Sequence, residues 1–81
     1  MTAITLSAAV AELFNQKIHH ASRLYSLDEW TAAVVRHHQE QRPGFWQNNG
    51  PARQQREMTR ICTRAIRAGE FAPARVIDLY A

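Results

Sequence analysis

Apolar residues recur at spacings of three and four along most of the chain, and polar breaks divide that pattern into helical segments. The first runs from about Ser7, a good N-cap residue, to about Leu24. Its apolar positions Val10, Leu13, Phe14, Ile18, Ala21, Leu24 and Tyr25 fall within an arc of roughly 140° at 100° per residue. Lys17 lies inside that arc. It must either carry its ammonium to the edge of the buried face or meet a partner there. Ser26 followed by Glu29 forms a capping box that opens a second helix over 27–41, with Leu27, Trp30, Ala33, Val34, His37 and His38 on its inner side.

The turn formers Pro43, Gly44, Asn48, Asn49 and Gly50 make residues 42–50 a break in helix. Pro51 suits a first helical position, where its missing N–H costs nothing, and Gly69 suits a C-terminal stop. A third helix is therefore predicted over 51–68, with Met58, Ile61, Cys62, Ala65 and Ile66 as its apolar stripe. After Glu70, the residues Phe71, Pro73, Val76, Ile77 and Leu79 predict a short capping helix or turn. A strand there would have nothing in the chain to pair with. The expected fold is all-α: three helices plus a C-terminal cap, in one domain spanning 1–81, a length that matches a single small core.

The hydrophobic fraction of 46% supports folding rather than disorder. A chain of 81 residues nevertheless buries only about 60–65% of its unfolded surface, so self-association as a homo-oligomer, or a partner that shares the core, is expected. No run approaches the roughly 20 apolar residues of a membrane span, and no secretory leader is recognisable. The single cysteine, Cys62, allows no internal disulfide. Together these predict a cytoplasmic protein without membrane association.

Charge adds the most distinctive feature. Residues 1–50 are neutral overall, and the excess of three positive charges lies in 51–81, where every basic residue is arginine. Arg53, Arg56, Arg60, Arg64 and Arg67 are spaced three, four, four and three apart in the third helix. They fall within about 80° of one another, opposite its apolar stripe, along about 21 Å of helix. Glu57 alone is near enough to neutralise any of them. Guanidinium forks donate paired hydrogen bonds to phosphate oxygens, so the stripe suits a nucleic-acid backbone, with Gln54, Gln55 and Thr59 available for further polar contacts. A solvated helix face would show the same spacing, although a mixed Lys/Glu surface is the usual solvated pattern.

A helix-turn-helix reader is not expected, because about nine residues separate the second and third helices against three or four in that motif. Residues 64–73, Arg-Ala-Ile-Arg-Ala-Gly-Glu-Phe-Ala-Pro, resemble the opening segment of the GntR repressor family. In that family the segment begins a winged-helix domain, whereas here only eight residues follow Pro73.

The remaining candidates carry less chemistry. His19–His20 and His37–His38 are adjacent pairs whose side chains diverge by about 100°, so each pair offers one ring to an ion; neither a metal site nor a cofactor is expected. Cys62 lies on the apolar stripe, and no phosphate loop, nucleophile elbow or zincin motif is present, so an enzyme is not expected. Phe45 and Trp46, in the break, either fold back over the helices or meet a partner. The leading expectation is a small regulator of bacterial or phage type. It would act on nucleic acid, or on a nucleic-acid-bound protein complex, as a transcriptional modulator or corepressor-like factor, directly or beside a larger regulatory protein. The alternative is a protein-interaction module, such as an antitoxin-like inhibitor or assembly adaptor, that meets an acidic surface.

Overall fold

The computed structural model describes residues 3–18 and 26–81. They form five helices and no strand: α1 (Ala8–Ile18), α2 (Leu27–Gln41), α3 (Pro43–Asn48), α4 (Pro51–Ala68) and α5 (Pro73–Tyr80). The fold is all-α, as expected. The continuation of the first helix over 19–24, and the pair His19–His20, lie outside the described residues.

Local chemistry sets most of the boundaries. At α1, the Ser7 hydroxyl accepts from the Val10 amide at 3.3 Å. At α2, Ser26 Oγ accepts from the Glu29 amide at 3.2 Å and donates to the Glu29 carboxylate at 2.8 Å, so the box closes through the two side chains. Helix α4 starts at Pro51 and ends in a Schellman turn. There Gly69 takes φ 73°, its amide bonds Ile66 O at 3.0 Å, and the Glu70 amide bonds Ala65 O at 2.9 Å. That left-handed conformation costs glycine little and any side chain more.

The break between the second and third predicted helices is itself helical, which corrects the expectation of an irregular loop. Helix α3 covers six residues, and none of them is fully buried. It persists because its carbonyls find side-chain donors instead of a next turn. Gln54 Nε2 donates to Trp46 O at 3.2 Å and to Asn49 O at 2.8 Å, and Asn49 Nδ2 donates to Phe45 O at 2.8 Å. The C-terminal tail, open between helix and turn in the sequence, is the helix α5, which packs on α2 and α4.

The core is centred on an aromatic triangle. Phe14, Trp30 and Phe71 have ring centroids 5.3–5.9 Å apart in tilted and edge-on arrangements. Trp30, 0% exposed, keeps its polar atom satisfied by donating Nε1–H to Phe71 O at 2.8 Å. Val34, Met58, Ile61, Cys62, Ile66, Val76 and Ile77 close around the triangle. The awkward Lys17 is resolved by the fold: half-buried, it donates Nζ to Arg67 O at 2.8 Å, placing its charge at the electronegative C-terminus of α4. The segment Ala3–Leu6 is not helical. Ile4 and Leu6 pack on the core, and Thr5 is held at both backbone polar atoms by Gln55, with N–H to Oε1 at 3.0 Å and O from Nε2 at 2.6 Å.

Candidate nucleic-acid interface

Helix α4 is divided cleanly by its period. Gln54, Met58, Ile61, Cys62, Ala65 and Ile66 are buried. Arg53, Arg56, Arg60, Arg64 and Arg67 are all exposed on the opposite side. The five arginines singled out in the sequence are therefore brought together on one face. Like charges one turn apart on a helix repel one another, and an anion laid between them removes that repulsion.

The face is not uniform. Arg60 is paired with Glu57, the carboxylate on this flank, and its Nη2 also donates to Tyr80 O at 3.3 Å. The Arg64 guanidinium lies 5.8 Å from the centre of the Tyr80 ring. The end of α5 thus orients the two middle arginines. The side chains of Arg53, Arg56 and Arg67 make no hydrogen bond or ion pair among the described residues. Arg75 stands apart at the start of α5, 3.6 Å from Glu70. Tyr80 is the contributor that sequence reasoning missed. It is 16 positions from Arg64, and no helical period links two different helices.

The polar residues flanking the stripe have structural duties, which corrects their reading as spare contacts. Gln54 is buried and holds α3, while Gln55 holds Thr5 and donates to Thr59 Oγ1 at 2.9 Å. Little side-chain donor capacity besides arginine is left for reading base edges.

Phe45 and Trp46 are folded back on α2 around His38 and are half-buried. Trp46 packs against the core and donates Nε1–H to His38 Nδ1 at 2.7 Å. The imidazole meets Phe45 and Trp46 edge-on at 5.2 and 5.7 Å. Burial holds the His38 pKa below its ordinary value of 6.5; the Arg42 and Arg60 charges act in the same direction and Glu57 opposes them. Cys62 is fully buried, and burial pushes its thiol up to about 12. Among the described residues no three His, Cys, Asp or Glu side chains converge on a point where an ion could sit, and no helix is long and apolar enough to cross a membrane.

No protein-family model, curated protein or solved structure matches the chain.

Proposed function

We propose that this protein is a small non-enzymatic regulator that docks through the arginine face of α4 onto the phosphate backbone of nucleic acid, alone or within a nucleic-acid-bound complex. One observation carries the reading: five exposed guanidinium groups share one helix face with a single carboxylate, Glu57, which Arg60 already occupies. Arginine's planar fork matches phosphate oxygens two at a time. Because Gln54 and Gln55 are engaged within the fold, the binding is dominated by backbone contacts and carries little base preference. The face acts by positioning the protein, and regulation follows from what is excluded or recruited there.

The test is fluorescence anisotropy with two unrelated labelled duplexes over a salt series. Contacts to three to five phosphates give a log–log salt slope of about −3 to −5, similar for both duplexes. The informative variant reverses Arg53, Arg56 and Arg67 to Glu, since Arg60 and Arg64 also fasten the end of α5. It should abolish binding while the helical circular dichroism stays unchanged. Absence of binding at low salt, or an unaffected variant, refutes the reading. In that case an acidic protein surface becomes the occupant to test on the same face.

A further inference from the structure

One stripe of helix α2 is only partly covered by the rest of the chain. Asp28, Thr31, Ala32, Val35, Arg36 and Gln39 recur at the spacing of one helical stripe. With the extended residues Ala3–Thr5 they line an open groove of about 610 Å³. Thr31 and Val35, 5% and 8% exposed, form its floor, and the small side chain of Ala32 stands exposed between the two ends. Asp28 and Arg36 are exposed at those ends, and neither has an ion-pair partner among the described residues.

The charges are arranged self-complementarily. Asp28 and Arg36 are eight residues apart, about 12 Å along the axis, and Ala32 is the midpoint. A helix that covers this stripe must present a cation opposite Asp28, an anion opposite Arg36 and a small residue between them. Run antiparallel, α2 itself has that pattern; run parallel, it sets like charges together. A two-fold axis through Ala32 satisfies both ends at once, as an isologous interface requires. Alanine at the crossing lets two helix axes approach to about 8 Å, the near end of the usual packing range. Association also adds buried apolar area to a chain whose own core is small.

We propose that a second copy of this chain occupies the groove, with α2 packed antiparallel on α2 about a two-fold axis at Ala32, and Asp28 of each copy paired with Arg36 of the other. The extended Ala3–Thr5 segment, fastened by Gln55, forms the outer wall of the groove on each copy. The inference does not depend on the role of α4 and is measured without nucleic acid.

The experiment is sedimentation equilibrium of the full chain across a concentration series. Wild type is expected to dimerise. Asp28→Arg and Arg36→Asp should each weaken the dimer about tenfold or more, because each change replaces two attractive pairs with two repulsive ones. The double variant D28R/R36D should recover near wild-type association. Two residues 12 Å apart on one helix cannot rescue each other within a copy, so recovery identifies an antiparallel contact between copies. Ala32→Glu, an exposed change to a good helix former, should give a folded monomer by circular dichroism, and it decides the question if a charge reversal perturbs folding. A wild-type monomer up to millimolar concentration, a double variant as weak as the single ones, or an Ala32→Glu protein that still dimerises overturns the proposal.

Discussion

The contact between His38 and Trp46 makes stability depend on pH in a direction the geometry dictates. The imidazole is 3% exposed, and its Nδ1 accepts the indole N–H at 2.7 Å. Only the neutral ring, with its proton on Nε2, satisfies that bond; a proton on Nδ1 would face another donor in a place water does not reach. The folded-state pKa therefore lies below 6.5, with burial the largest cause, while the unfolded chain titrates near 6.5. Below pH 6.5 the unfolded state binds the extra proton, so the contribution is fully present above about 6.5 and is lost as the pH falls towards the folded-state value. One proton sets a limit of about 1.4 kcal/mol per pH unit, or at most about 2 kcal/mol between pH 6.5 and 5, where most carboxylates remain ionised. A chain of this length has roughly 4–12 kcal/mol of total stability, so the loss is measurable. Urea unfolding followed by circular dichroism at a series of pH values from 7.5 to 5 reads it directly. His38→Asn keeps a side-chain acceptor that does not titrate in this range and should flatten the dependence. Trp46→Phe leaves Nδ1 buried without a donor and should cost about 1–3 kcal/mol at pH 7.5. Equal pH dependence in wild type and His38→Asn, or stability that rises towards pH 5, would refute the reasoning.

Three further outcomes follow from single residues. Thr31 Oγ1 is buried without a partner, so Thr31→Val should stabilise by about 1 kcal/mol, seen as a melting temperature raised by roughly 4–8 °C. Gly69→Ala puts a side chain at φ 73° with open space around it; the strain is in the backbone alone and should lower stability by about 1 kcal/mol in chemical denaturation. Cys62, fully buried with its thiol pushed up to about 12, should not react with a thiol reagent at pH 8 in native buffer and should react at once in denaturant.

Helices α2 and α4 match the bounds read from the chain because their ends are local events. Ser26 meets Glu29 three residues on, and Gly69 closes on Ala65 and Ile66 within one turn. The arginine face was legible for the same reason: a period of 3.6 places residues 53 to 67 on one side whatever the helix packs against. Helix α3 was not legible. Three of its six residues, Pro43, Gly44 and Asn48, are turn formers, and the segment holds a helix because Gln54 and His38, on other helices, supply a donor to Trp46 O and an acceptor to the Trp46 indole. The direction taken by Phe45 and Trp46 was decided by that same acceptor.

The helical class, the two long helices with their caps, and the sidedness of α4 could be read along the chain, because each depends on residues within a few positions of one another. Tertiary structure alone decided that Lys17 reaches Arg67 and that Gln55 holds Thr5, both across 50 positions. It also decided that Tyr80 takes Arg60 and Arg64 while Arg53, Arg56 and Arg67 stay unengaged among the described residues. Contacts of that kind form only when the helices have already been brought together around Phe14, Trp30 and Phe71. The apolar burial that brings them together is non-directional, so the polar pairings at its rim follow from the packing and carry no local signature in the chain.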